Sequence, residues 1–130
     1  MPKRKAPLKQ EPLINTVIEA MKDKKAGNPV ILDFRPLHLA VWDTFTICHG
    51  TSRTQVAAIA DHVMEEVKKK HGIDPWHKEG FENAEWILID YSDVVVHIFQ
   101  EERRKFYNLE QLWADAEMIP SDSMDSKKPQ

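Results

Sequence analysis

The segment from Glu85 to Phe99 constrains the fold more than any other part of the sequence. It holds two short runs of β-branched and aromatic residues separated by a polar break, which predicts two strands around a tight turn. Alternate side chains of a strand point to opposite faces of a sheet. One set is Trp86, Leu88 and Asp90, and the other is Ile87, Ile89 and Tyr91. Both faces are therefore largely apolar, so either helices cover both sides of the sheet or one face is kept for a partner.

The composition indicates one ordinary globular domain. The chain has 130 residues, of which 42% are apolar and 30% charged. A single cysteine, Cys48, excludes an internal disulfide and is typical of a reducing cytosol. No apolar run approaches the roughly 18 residues that span a bilayer. The first residues form no apolar signal region, so we expect a cytoplasmic protein.

The net charge of −3 conceals a strong segregation of charge. Residues 1–10 carry four bases and no acid, and residues 11–73 carry eight of each. Residues 74–119 carry eleven acids and four bases, a net charge of −7. An acidic region disfavours binding to a phosphate backbone and favours a basic protein surface, although a solvated acidic surface serves solubility equally well.

The pattern of apolar and polar residues divides the chain into three parts. We expect a disordered basic arm over residues 1–10, a folded domain over 11–119 and a disordered polar tail over 120–130. The domain is predicted to be a small α/β domain with a mixed β-sheet flanked by helices.

The individual elements follow from their periodicity and end signals. A helix is predicted to start at Pro12 and to end at a left-handed Gly27, and a longer helix to run from Thr51 or Ser52 to Gly72. A polar turn is expected over Glu101–Lys105. The predicted strands are Val30–Phe34, Thr44–His49, a short one near Trp76 and the pair within Glu85–Phe99, and a closing helix is predicted over Asn108–Ala116.

The strongest candidate for chemistry is Gly50-Thr51-Ser52, between a predicted strand and a predicted helix. Free amides at such a junction attract phosphate, and nucleotidyltransferases add two carboxylates that hold divalent metals. No acid-x-acid pair on a strand follows this turn, so a capped helix start is the favoured interpretation. The six histidines are scattered, and Cys48 and His97 are expected to be buried structural residues. The sequence therefore predicts no catalytic, cofactor or metal site.

Three segments in order resemble the ribosomal silencing factor family, also called RsfS or Iojap. The most specific covers residues 80–99, GFENAEWILIDYSDVVVHIF, close to the family pattern G-x-E-N-A-E-W-V-L-I-D-Y-G-D-V-V-V-H-V-F. The others are residues 50–61, GTSRTQVAAIAD, and residues 104–116, RKFYNLEQLWADA. Ser92 stands where the family usually has glycine, so a turn that needs a positive φ would be slightly strained.

The resemblance implies a nucleotidyltransferase-like fold without the catalytic residues, and a protein that is not an enzyme. It implies binding to the large ribosomal subunit through ribosomal protein L-fourteen, a steric block to subunit joining and repression of translation. It further implies self-association of the free protein, and the basic arm could contact rRNA. The alternative is a nucleotidyltransferase-like enzyme acting on a nucleotide.

Contact residues are carried over from the resemblance by position. Those assigned to partner binding are Trp86, Leu88, Asp90, Tyr91, Asp93, Val95 and His97, with Glu101 and Arg103 added at the end of the strand pair.

Overall fold

The computed structural model describes residues 10–34, 43–108 and 117–120. In chain order the elements are α1 (Glu11–Asp23), β1 (Gly27–Asp33), β2 (Thr44–Gly50), α2 (Arg53–His71), β3 (His77–Glu79), β4 (Trp86–Asp90), β5 (Val94–Gln100), α3 (Glu101–Tyr107) and β6 (Glu117–Pro120). The predicted α/β class is confirmed. Within these ranges, no helix is long and apolar enough to cross a membrane.

The six described strands form one mixed sheet in the order β3-β4-β5-β2-β1-β6. β2 and β5 are parallel, with Thr44 opposite Val94 and Gly50 opposite Gln100. The other neighbouring strands are antiparallel. The tight turn predicted around Ser92 joins β4 to β5, and the strand expected near Trp76 is β3 at the edge of the sheet.

Helices α1 and α2 pack together on one face of the sheet, which we call the helix side. Their apolar stripes and alternate strand residues form a single core cluster there, from Leu13 in α1 to Val67 in α2. The strand residues of this cluster are Ile31, Cys48, Ile87, Ile89, Val94, Val96, Ile98 and Ile119. Cys48 is fully buried, as expected, and burial raises the pKa of its thiol to about 12.

The opposite face of the sheet, called here the second face, carries its own apolar cluster. It consists of Val30, Leu32, Phe34, Phe45, Ile47, Val95 and Phe99, with Trp86 and Leu88 partly buried against them. In the part of the chain described, this cluster includes no helix residue. Both faces of β4 and β5 are therefore apolar, as the alternation within Glu85–Phe99 predicts.

The caps of α2 agree with the prediction. The Gln55 backbone N–H donates to Ser52 Oγ at 3.1 Å, which satisfies one of the free amides at the start of the helix. The helix ends at Gly72, whose φ of 70° is a left-handed conformation that glycine adopts without steric cost.

Two predictions about the elements are wrong, and one strand was not predicted. α1 ends at Asp23, and Gly27 begins β1 without a positive φ. A Cβ atom on Gly27 would clash with the His49 ring, so close packing and not a left-handed turn requires glycine there. The segment Glu101–Lys105, expected as a turn, lies in α3. β6 was not predicted. Residues 1–9 of the predicted basic arm, residues 35–42, residues 109–116 of the predicted closing helix and residues 121–130 of the predicted tail lie outside the described residues.

We expect Gly80→Ala to destabilise the protein more than Gly72→Ala. Both glycines have positive φ, but a Cβ atom on Gly80 would clash with the backbone carbonyl of Trp86, whereas nothing lies within 4 Å of one on Gly72. Gly72→Ala should cost about 1–2 kcal/mol, the usual penalty for a left-handed residue with a side chain. Urea unfolding of both variants measures the difference. Equal losses of unfolding free energy would show that the β3–β4 turn accommodates the added Cβ atom without further cost.

Candidate partner-binding surface

A shallow groove opens on the second face between β3 and β4. Glu79, Gly80, Trp86 and Leu88 line it, and its volume is about 360 Å³. Glu79 pairs with Leu88 across the two strands, so these side chains share a face of the sheet. The groove therefore combines two partly buried apolar side chains with a carboxylate at its rim.

Trp86 is held in the groove by β5. Its indole Nε1–H donates to His97 Nδ1 at 3.1 Å, and its ring stacks on Phe99 at a centroid distance of 5.0 Å. Trp86 lies opposite Phe99, and Leu88 lies opposite His97. The indole is thus fixed in orientation before any partner arrives.

His97 is a buried neutral residue that supports Trp86. Only 3% of it is exposed, and burial lowers its pKa to about 3. Because Nδ1 accepts the indole hydrogen bond, the proton of the neutral ring lies on Nε2. Among the described residues, this buried Nε2 has no hydrogen-bond partner. The prediction of a buried, hydrogen-bonded sheet histidine is confirmed.

The turn between β4 and β5 is organised by Asp90. Its Oδ1 accepts the Ser92 backbone N–H at 2.7 Å, and Ser92 has a φ of 79°, so the expected positive φ is present. The backbone carbonyl of Asp93 accepts from the N–H groups of Asp43 and Thr44, at 2.9 and 3.0 Å. Both aspartates are partly exposed and help to shape the turn.

Two side-chain pairs that each include a carboxylate lie near the groove. His77 Nε2 is 3.1 Å from Glu79 Oε2, and Arg103 Nη2 is 3.5 Å from Glu85 Oε2. Glu101 is exposed and lies 3.8 Å from the Nε2 atom of His49, at the α3 end of β5. Exposed pairs of this kind contribute little to stability. Their main effect is on the local charge.

Six of the nine predicted contact residues divide between the two faces of the sheet. Trp86, Leu88 and Asp90 are partly exposed on the second face, where Val95 and His97 are buried beneath them. Tyr91 is 8% exposed and belongs to the helix-side core. Burial, and to a lesser degree the Asp74 carboxylate, raises the pKa of Tyr91 to about 12.

A short strand was predicted near Trp76, but its contribution to this surface was not. His77, Glu79 and Gly80 lie beside β4, and three exposed strand residues have no apolar alternation that would indicate which strand they pair with. The usable signal was Gly80 at the start of the most specific motif. Its φ of 90° turns the chain between the two strands.

The Gly50-Thr51-Ser52 turn is a helix start, and its own chain satisfies its polar groups. The Thr51 N–H donates to Gln55 Oε1 at 2.8 Å. The Gln55 amide in turn donates to the carbonyls of Lys24 and Lys25, each at 3.1 Å. The favoured interpretation of a capped helix is confirmed.

A second cavity of about 190 Å³ lies at the carboxyl ends of the parallel strands β2 and β5. It is lined by Asn28, His49, Glu101, Arg104, Lys105 and Asn108. Arg104 is buried and donates to the Gly27 carbonyl at 3.2 Å and to His49 Nδ1 at 2.8 Å. Glu101 is the one carboxylate among the described lining residues, whereas a two-metal transferase site requires more than one.

The chain is similar to proteins of one family. The profile described as "Ribosomal silencing factor during starvation" matches residues 7–130. A ribosomal silencing factor RsfS of Halalkalibacterium halodurans is 43% identical over 86% of this chain and 94% of its own length. One from Bacillus subtilis is 40% identical over 88% of this chain and 96% of its own.

A solved structure has the same fold. The crystal structure of a Chromobacterium violaceum protein superposes with a TM-score of 0.76 at 32% identity, covering 84% of this chain and 88% of that one. The chain therefore shares both its sequence and its small α/β fold with one class of proteins. The chain belongs to the ribosomal silencing factor (RsfS) family, and the resemblance drawn from the three motifs is confirmed.

We expect His97 to make the protein less stable as the pH falls from 6.5 towards 4. The unfolded histidine takes up a proton near its ordinary pKa of 6.5, while the folded one resists protonation down to about 3. The loss from this residue should approach about 1.4 kcal/mol per pH unit. Urea unfolding from pH 7.5 to pH 4.5 measures it.

The matched variant for this prediction is His97→Gln, which can still accept the Trp86 hydrogen bond but does not titrate. As the pH is lowered, its unfolding free energy should fall less steeply than that of the wild type. The difference in slope should be up to about 1.4 kcal/mol per pH unit, which corresponds to one proton. Identical slopes for the two proteins would mean that the folded state accommodates a charged His97.

Proposed function

We propose that this chain binds the large ribosomal subunit through ribosomal protein L-fourteen and sterically blocks subunit joining, which represses translation. The observation that carries the proposal is the groove at Trp86 and Leu88, within the segment that most closely matches the family pattern. Family membership supports the ribosome as the target, because the relatives are named ribosomal silencing factors.

The groove has the make-up of a protein-binding site. Trp86 is the residue type most often found as a binding hot spot, and it is both partly buried and fixed by His97. A pre-positioned indole loses little conformational entropy on binding. Leu88 extends the apolar floor beside it. The proposed contacts are therefore Trp86, Leu88 and Asp90, with Val95 and His97 as their buried support.

The charge around the groove supports a basic partner. Glu79 is at the rim, Asp90 is partly exposed on the same face, and residues 74–119 carry the net charge of −7. Surface charge of one sign speeds the encounter with a surface of the opposite sign, and salt weakens this effect. A basic surface on a ribosomal protein would therefore be attracted to this groove.

The proposed action is occlusion, and it needs no catalytic group. Gln55 occupies the turn at which a nucleotidyltransferase would bind phosphate, which favours a binding protein over the enzyme alternative. Cytoplasmic location, rRNA contact through the basic arm and self-association of the free protein remain predictions. They concern residues or states outside those described.

We expect Glu79→Lys and Trp86→Ala to weaken binding to large subunits for different reasons. Glu79→Lys reverses a charge at the rim, so its effect should be at least about tenfold at low salt and smaller at high salt. Trp86→Ala removes the apolar anchor and should cost about 2 kcal/mol or more, roughly 30-fold in affinity, at any salt. Co-sedimentation with purified large subunits at two salt concentrations measures both.

The control for charge is Asp61→Lys, which makes the same type of change at an exposed position of α2 on the helix side. It should bind as the wild type does. Trp86→Phe retains an aromatic ring but loses the indole N–H that donates to His97. Its affinity for large subunits should lie between those of the wild type and Trp86→Ala. Unchanged binding by Glu79→Lys and Trp86→Ala, both shown to be folded by circular dichroism, would refute the groove as the docking site.

Inhibition of subunit joining should saturate near one copy of the protein per large subunit. A steric block acts stoichiometrically, requires no nucleotide and reverses on dilution. Added after the subunits have joined, the protein should have far less effect, because the small subunit then covers the site. Light scattering of subunit association, with the protein-to-ribosome ratio and order of addition varied, measures this.

Two results would count against occlusion. Substoichiometric, time-dependent inactivation of large subunits would indicate enzymatic modification. Binding at full occupancy with normal subunit joining would retain the docking site but exclude the steric mechanism, so the two parts of the proposal can fail separately.

A further inference from the structure

A second cluster of chemically active side chains lies on the helix side, away from the groove. His62, Glu65 and Glu66 are three and four residues apart on α2, so they share one face of the helix. Their ligand atoms lie within 4.8 Å of one another. We infer that these three side chains bind a divalent transition-metal ion, with zinc as the best match.

Asp23, at the end of α1, sets the state of the His62 ring. Its Oδ2 lies 3.0 Å from His62 Nε2, and a carboxylate can only accept, so Nε2 carries the proton of this hydrogen bond. The other ring nitrogen, Nδ1, is then the one that can bind a metal. A histidine oriented by a carboxylate through its second nitrogen is the usual arrangement at zinc sites.

The distance from Nδ1 to Glu65 distinguishes a metal ligand from a hydrogen bond. His62 Nδ1 and Glu65 Oε1 are 3.6 Å apart, too far for a direct N–H···O bond. Two ligands at about 2.1 Å from a tetrahedral zinc ion are separated by roughly 3.4 Å. The observed spacing leaves room for an ion between the two atoms and needs almost no movement.

The set of ligands selects the class of metal. One imidazole and two carboxylates suit zinc and its neighbours, while magnesium and calcium prefer oxygen ligands alone. Three protein ligands leave a fourth position for water. His62 and Glu66 are mostly buried, with 18% of each side chain exposed, so both are held in place by the fold.

Lys70 is the natural competitor for the ion. Its Nζ lies 3.7 Å from Glu66 Oε1 and 3.9 Å from Glu19 Oε1 of α1. The ammonium group balances the Glu66 charge when no metal is bound, and it opposes a second positive charge nearby. Removing it should therefore strengthen metal binding.

Bound zinc would connect the two helices of the helix side. The ion would be held by α2, and Asp23 would link it to α1 through the His62 ring. The expected consequence is a higher melting temperature, because a ligand that binds only the folded state stabilises that state.

The test is a titration of the untagged full-length protein with zinc chloride by calorimetry, with magnesium chloride as the comparison. Saturable binding of one zinc ion, and a melting temperature raised by about 2–8 °C in excess zinc, are expected. His62→Gln should abolish both effects. Asp23→Asn should weaken zinc binding by about tenfold or more through loss of ring orientation. Lys70→Gln should tighten it.

Two controls separate a site from general attraction. Asp61→Asn removes one acid from the same helix, and His77→Gln removes an exposed histidine elsewhere; neither should change zinc affinity by more than about twofold if the three ligands form the site. No saturable binding would overturn the inference and leave an ordinary histidine–carboxylate pair. So would equal weakening by Asp61→Asn and Glu65→Gln, or undiminished binding by His62→Gln.

Discussion

The double burial of β5 is the constraint on which the rest of the structure depends. From Val94 to Phe99 every residue is buried, three of them facing α1 and α2 and three facing the second face. A strand that is buried on both sides must be apolar on both sides. His97 is the exception, and it is accommodated as a neutral ring because burial opposes its charge.

The register of β4 against β5 positions the side chains that line the groove. Trp86 lies opposite Phe99 and Leu88 opposite His97, so the imidazole reaches the indole N–H across the strand pair. A slip of one residue would move Trp86 to the helix side and bring Ile87 to the groove. The Asp90–Ser92 turn helps to prevent that slip, because it fixes the loop length and sets the positive φ.

Sequence patterns predicted those features that are encoded locally. Ser52 and Gly72 could be read as caps of α2 because a cap depends on the residue and its nearest backbone groups. The alternation in β4 and β5 likewise predicted which residues share a face, including the placement of Tyr91 apart from Trp86.

Features that depend on distant contacts could not be predicted in this way. Gly27 resembled a helix cap, but its position is determined by the His49 ring on the next strand. α3 looked like a polar turn because its run of charged residues gave no sign that Arg104 is buried. Arg104 is held there by hydrogen bonds to Gly27 and His49 on neighbouring strands. β6 is only four residues long, and it is defined by pairing with β1 and not by its own sequence. A strand was predicted near Trp76, but its pairing with β4 was not, and so one wall of the groove was missed.

The location of the groove differs from the usual ligand site of an open α/β sheet. Open α/β sheets usually bind ligands at the carboxyl ends of parallel strands, where free backbone amides are concentrated. Here Gln55 satisfies Thr51 and Arg104 crosses to Gly27, so polar groups at that end are engaged by the chain itself. The antiparallel side offers Trp86, Leu88 and Glu79 instead. Because β3 is short, exposed and charged, it discourages backbone pairing with other strands. At the proposed docking groove, recognition would therefore rest on side chains, and so on the charge and shape of the partner.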